Sequence, residues 1–137
     1  MSDAIESWHD YMRAPDAVAL EAMLHPDVVF QSPAVHTPQR GRAVTMRYLG
    51  AAAVVLGGPD FRYVNEWRGD ASAVLEFECT LADATQVNGV DIIEWDDDGL
   101  ITRFKVMIRP VRALNAVIPL MAAELTKGAQ QPGGADG

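Results

Sequence analysis

The sequence predicts an α+β fold: a cone-shaped, curved antiparallel sheet wrapped by N-terminal helices around an apolar pocket. Helical spacing of apolar residues dominates the first part of the chain and strand-like alternation most of the second. That order suits helices gathered on one face of an antiparallel sheet. From Leu100 to Arg109 the alternation is clean, with Phe104, Val106 and Ile108 on one side and Arg103, Lys105, Met107 and Arg109 on the other. One face of the sheet is therefore dry. Asp96, Asp97, Asp98 and Gly99 supply turn chemistry between this arm and the one before it.

The elements follow in order. Asp3 to Arg13 reads as a helix, with Asp3 and Glu6 resembling a capping box and Ile5, Trp8 and Met12 on one stripe. Asp16 caps a second helix that turns Leu20, Met23 and Leu24 inward and stops at His25-Pro26. Val28 to Ser32 is a short strand, followed by a Pro-rich loop. A third helix spans Arg42 to Leu56, with Val44, Tyr48, Ala51 or Ala52, and Val55 on one face, and Gly57-Gly58-Pro59 ends it. Strands are expected over Phe61 to Arg68, Ala73 to Leu81, Val87 to Trp95 and Leu100 to Arg109. Leu75, Phe77 and Cys79 should face inward, and Glu76 and Glu78 should share the wet side with Arg103 and Lys105. A last helix runs from Val111 to about Lys127, with Leu114, Val117, Met121 and Leu125 spaced for burial and Pro119 set to kink it. Residues 1–127 form one domain, and residues 128–137, without an apolar anchor, read as a disordered tail.

The chain of 137 residues is 49% hydrophobic and 22% charged, an ordinary balance for a single globular domain. Its formal charge of −8, with Lys and Arg scattered, argues against nucleic acid and anionic membranes as partners. The single cysteine, Cys79, rules out an intrachain disulfide and a cysteine metal cluster. No signal peptide is expected, and the longest apolar run, near Gly50 to Gly58, is too short to span a bilayer. A soluble, cytoplasmic protein is the expectation.

Asp91 holds the functional interest. In the arm before the turn, Val90, Ile92 and Glu94 and also Asp91, Ile93 and Trp95 each combine two apolar residues with one acid. If the four turn residues form the loop, Trp95 pairs with Leu100 and Asp91 lies opposite Phe104 on the dry face. A slip of one residue sends Asp91 to water. A dry carboxylate must be paired or protonated.

The order of elements, together with FQSP at Phe30 to Pro33, RG at Arg40-Gly41 and the hairpin closing on VMIRP, resembles the nuclear transport factor 2-like superfamily, in particular its SnoaL-like domains. The resemblance covers about Ala4 to Leu125. It implies steroid isomerase, polyketide cyclase, dehydratase or epoxide hydrolase activity, or a binding or scaffold role without catalysis. Steroid isomerases of this superfamily carry a catalytic base directly before a Pro at the end of the first strand, where this chain has Ser32 before Pro33. Their helix-one tyrosine donor falls at Trp8, and their protonated aspartic acid donor at Asp91. One of the three groups is thus carried over.

Two readings stay open. In one, the chain is an enzyme acting on a small apolar molecule by proton transfer, without metal or organic cofactor. Asp91 and His36 are its candidate catalytic residues. Trp8, Ser32, Tyr48 and Asn65 are expected to place the substrate, with Phe77 and Phe104 among the aromatic wall candidates, which include Phe61, Tyr63, Trp67 and Trp95. In the other, the chain binds a ligand unchanged or serves as a dimerisation module. A homodimer through the outer sheet face, with Val90, Ile92, Ile101 and Met107 in contact, is compatible with both. His9 and His25 lack acidic ligand spacing, so no metal site is expected.

Overall fold

A computed structural model describes residues 3–130. The elements are α1 (Ala4–Arg13), α2 (Ala17–Met23), β1 (Leu24–Gln31), β2 (Gln39–Arg40), α3 (Arg42–Leu56), β3 (Arg62–Arg68), β4 (Ser72–Thr80), β5 (Gln86–Trp95), β6 (Ile101–Arg109) and α4 (Val111–Gln130). The strands form one curved, unclosed sheet in the order β2-β1-β6-β5-β4-β3. Among the described residues only β1 and β6 pair in parallel.

Local chemistry accounts for the helix ends. The Asp3 carboxylate accepts from the amides of Ile5 and Glu6, and Asp16 accepts from Val18. Each satisfies donors that a helix start leaves bare. Helix α1 buries Ile5, Trp8 and Tyr11. Strand β1 begins at Leu24, directly after α2, so His25-Pro26 lies within a strand rather than ending the helix in a loop. The buried residues of α3 are Thr45, Leu49, Ala51 and Leu56; Ala51 is on the expected face, and the other three lie one position on from the expected Val44, Tyr48 and Val55. Tyr48 is half-buried beside them. Helix α4 continues through Gln130, past the expected end near Lys127. The rest of the expected tail, residues 131–137, lies outside the described residues.

Two irregularities decide which side chains face inward. In the β5–β6 hairpin, Asp96 pairs with Leu100 through a backbone bond of 2.9 Å, and Gly99 takes φ 80°. The Asp96 side chain caps the loop by accepting from the amides of Asp98 and Leu100. The ladder next pairs Trp95 with Ile101 and Glu94 with Arg103, leaving Thr102 as an extra residue. Such a bulge moves the register by one. Together the loop and the bulge place Asp91 opposite Val106 rather than the expected Phe104. The total offset is two residues, so parity holds and Asp91 faces inward.

The second irregularity lies in β3. Tyr63 pairs with Phe77, whereas Asn65 pairs with Glu76. The residue inserted between the two pairs reverses the alternation. Tyr63 consequently faces inward with Phe77, and Asn65 faces outward with Glu76.

The inner face of the sheet carries Leu75, Phe77, Cys79, Ile93, Phe104 and Val106, all buried. Gly89 belongs to this packing. A Cβ there would lie 2.5 Å from Phe77 Cζ and 2.6 Å from the Met107 carbonyl oxygen. The bare glycine lets the Phe77 ring lie over β5. The outer face carries Arg62 beside Glu78 at 2.7 Å and Arg103 near Glu94 at 3.8 Å. Among the described residues no helix is long and apolar enough to cross a membrane.

Candidate functional site

Asp91 and Thr45 are the buried polar side chains of the core, and Asp91 is 6% exposed. Asp91 sits in a row of inward residues between Leu75 on β4 and Val106 on β6. An acid among apolar side chains loses its hydration. Burial raises its pKa from 3.8 to about 7, while the hydrogen bond from Tyr63 pulls the other way.

That hydrogen bond belongs to a directional chain. The Trp8 indole Nε1–H donates to the Tyr63 oxygen at 2.8 Å, and the Tyr63 O–H donates to Asp91 Oδ2 at 2.5 Å. An indole nitrogen can only donate. The Tyr63 oxygen is thus occupied as an acceptor and its proton is directed at Asp91. Burial, then the adjacent Asp91, holds the Tyr63 hydroxyl well above its usual range. Of the two groups, the carboxyl is the one that burial brings toward neutrality. Asp91 Oδ1 has no hydrogen-bond partner among the described residues.

The chain runs from α1 through β3 to β5, and an outer ionic cluster ties the first two together. Arg68 meets Asp3 at 2.7 Å and Glu66 at 2.5 Å, and Glu66 meets His9 at 2.8 Å. The His9 ring packs edge-on against Tyr63 with centroids 5.2 Å apart.

Asp91 opens onto a cavity of about 210 Å³ enclosed by the sheet, α1, α3 and α4. Its walls are aromatic. Phe30 stacks on Tyr48, Phe61 stacks on Phe77, and Trp8 meets Phe104 edge-on at 4.7 Å. Helix α4 closes one side with Val117, Met121 and Leu125. Val35 and Ile118, 45% and 42% exposed, mark the way out to solvent.

Of the residues singled out in the sequence, Asp91, Trp8, Ser32, Tyr48, Phe77 and Phe104 line this cavity together. His36 does not. It is exposed in the loop after β1 and borders a shallow groove with Lys105 and Met107. Asn65 does not either; its side-chain amide donates to Glu76 at 2.8 Å on the outer face. Sequence reasoning overlooked the polar part of Tyr63, which was grouped with wall aromatics. Local spacing carries no signal for it, because the contact joins β3 to β5. Among the described residues no group of three or more His, Cys, Asp or Glu side chains is placed to hold a metal ion.

The fold and the cavity define an α+β protein with a curved, open sheet and one acid set in an aromatic hollow. The chain belongs to the SnoaL-like domain family, whose model matches residues 5–104. It is similar to a steroid delta-isomerase from Pseudomonas aeruginosa, with 34% identity, 90% of each chain covered and a TM-score of 0.84. It is also similar to a bacterial protein with a cystatin-like fold from Silicibacter pomeroyi DSS-3, with 28% identity, 95% of this chain and 90% of that one covered, and a TM-score of 0.85. The epoxide hydrolase/cyclase-like enzyme SalBIII shares the fold at 17% identity, covering 79% of this chain and 92% of its own, with a TM-score of 0.61. No curated protein matches the chain.

Proposed function

We propose that this protein holds a small apolar molecule in the cavity and moves a proton to or from it through Asp91. The observation that carries this reading is the Asp91 carboxyl on the wall of an aromatic cavity, with burial pushing its pKa to about 7. A group with a pKa near the working pH is present in both forms, which suits general acid–base chemistry. Tyr63 occupies Oδ2, so the exchangeable proton sits on Oδ1, the oxygen without a protein partner. The resemblance to the Pseudomonas aeruginosa protein named as a steroid delta-isomerase supports isomerisation as the reaction type. No organic cofactor or metal is assigned to this chemistry; Asp91 alone carries the proton.

The test is Asp91→Asn. The amide keeps the shape and loses the titration. Proton exchange or turnover of a bound apolar ketone should fall by about 10²–10⁴-fold, the usual contribution of a positioned acid or base. Unchanged turnover would remove Asp91 from the chemistry.

A second reading, a binding module that pairs with its own copy, is favoured by the outer sheet face. Met107 there is 50% exposed and Trp67 56% exposed, and Val90 and Ile92 lie half-buried between flanking charges. Sedimentation should show a dimer at micromolar concentration, and a monomer alone would count against pairing.

A further inference from the structure

We infer that a second site, outside the cavity and between α1, α2 and the β5–β6 loop, binds an aliphatic diamine, with Asp16 and Asp98 holding its ammonium groups and the Tyr11 hydroxyl accepting from one of them.

The fold fixes the place. Strand β1 begins at Leu24, directly after α2, and Leu24 pairs with Ile101 at the foot of the β5–β6 loop. Met23 and Leu100 are thereby brought together, and the last turn of α1 completes the wall. The three segments border a cleft of about 440 Å³ lined by Asp10, Tyr11, Asp16 and Asp98. None of these four residues lines the Asp91 cavity.

Tyr11 marks the cleft as a site. The residue is 4% exposed, and its ring stacks on Trp8 with centroids 5.2 Å apart. A buried tyrosine hydroxyl ordinarily finds a partner. This one has none among the described residues, yet the sealed and unpartnered side-chain oxygen there is Thr45 Oγ1, not the Tyr11 oxygen. The Tyr11 hydroxyl therefore has an opening, and the cleft it lines provides it. Its oxygen can accept from an N–H donor.

Charge selects a cation. Asp16 Oδ1 accepts from the Val18 amide at 3.2 Å, which leaves Oδ2 for a ligand. The Asp98 amide donates to Asp96, but the Asp98 carboxylate makes no bond among the described residues. Neither carboxylate has a cationic partner there, whereas Asp10 meets Arg13 at 2.5 Å. The last turn of α1, which supplies Asp10 and Tyr11, adds the negative end of its dipole.

Spacing then favours an organic cation over a metal ion. Among the described residues the carboxylates of this wall do not converge on one point as metal ligands would. Spread over α1, the cap of α2 and the hairpin loop, they suit ammonium groups set apart along a chain, each with three N–H donors. Ala19, Met23 and Leu100 in the same wall supply an apolar bed for the methylenes between them.

The test is isothermal titration of the full chain with 1,4-diaminobutane at low salt, where charge attraction is least screened. Saturable one-to-one binding is expected, with 1-aminobutane at least ~10-fold weaker for want of the second charge. Asp16→Asn together with Asp98→Asn should weaken the diamine by at least ~10-fold, and asparagine still caps α2. Asp98→Asn alone, which breaks no bond of the fold, should already cost ~3-fold. Tyr11→Phe keeps the ring stack and should cost ~3- to 10-fold. Glu78→Gln, on the outer face, removes one acid elsewhere and should change nothing. Circular dichroism checks that each variant is folded. Equal affinity for 1-aminobutane overturns recognition of two charges. Unchanged affinity in both asparagine variants, or an equal loss in Glu78→Gln, means diffuse attraction to an acidic surface and overturns the site. Displacement of the diamine by equimolar calcium chloride overturns the choice of ligand. Full affinity in Tyr11→Phe overturns the role of the hydroxyl, and no binding to wild type overturns the inference outright. Asp91 takes part in none of these measurements, so the proposed function is tested separately.

Discussion

The Tyr63 hydroxyl donates to Asp91 Oδ2 at 2.5 Å, and the Tyr63 oxygen in turn accepts from the Trp8 indole N–H at 2.8 Å. This bond restrains a carboxyl that burial drives upward. Tyr63→Phe removes it and leaves the ring in place. The Asp91 midpoint should move up from about 7, read from the carboxyl resonance or from the pH profile of proton exchange. A midpoint that stays or falls would mean that Tyr63 does not stabilise the ionised form.

Asp91 also makes stability depend on pH. Its folded pKa, about 7, lies above its unfolded value near 3.8. Between those values the folded state holds the proton more tightly, so stability falls as pH rises from about 4 to 7, by up to ~1.4 kcal/mol per unit. Below pH 4 both states are protonated and the loss vanishes. Asp91→Asn should therefore be more stable than wild type at pH 8, with the gain shrinking toward pH 4. Urea denaturation at several pH values reads this directly, and a constant difference would contradict it.

Gly89→Ala forces a Cβ to within 2.5 Å of Phe77 Cζ and 2.6 Å of the Met107 carbonyl. Overpacking of this kind costs about 1–3 kcal/mol. Phe77 also stacks on Phe61 in the cavity wall, so displacing its ring should weaken ligand binding as well as lower the melting temperature. An unchanged melting temperature would show that the ring has room to move.

Asn65→Ala should change stability by less than about 0.5 kcal/mol and leave ligand affinity unaltered, because Asn65 meets Glu76 outside the cavity. A loss of binding in isothermal titration would place Asn65 inside after all.

Periodicity made β4 legible along its whole length, and β6 from Arg103 onward, where Phe104 and Val106 are buried and Ile108 is half-buried. It failed where one residue breaks the count. Alternation from Tyr63 puts Asn65 inside, and only the ladder shows the insertion that turns it out. The Asp91 face was legible only as one of two choices, because both sides of β5 mix apolar residues with an acid. On α3 the expected face packs against the core through Tyr48, Ala51, Ala52 and Val55, but the centre of burial lies one position on, at Thr45, Leu49 and Leu56, because a helix so rich in small apolar residues offers little contrast between its faces. His36 resembled a functional group by residue type, and nothing in its Pro-rich surroundings indicated which way the loop points. The role of Tyr63 depends on a contact between β3 and β5 that local spacing does not encode.

The extra residue Thr102 sets a rule for length changes in the β5–β6 ribbon. Thr102 has no partner in the ladder, so its removal lets Trp95–Ile101 and Glu94–Arg103 follow one another directly, and Asp91 and the Phe104–Val106 wall both stay inward. A residue added to or taken from the paired stretch between Arg103 and Val106 has no such slack and turns one side of the change to solvent. Chain variants of this ribbon should accordingly keep the hollow and its acid when a single-residue change falls on the bulge, and forfeit one or the other when it falls inside the ladder.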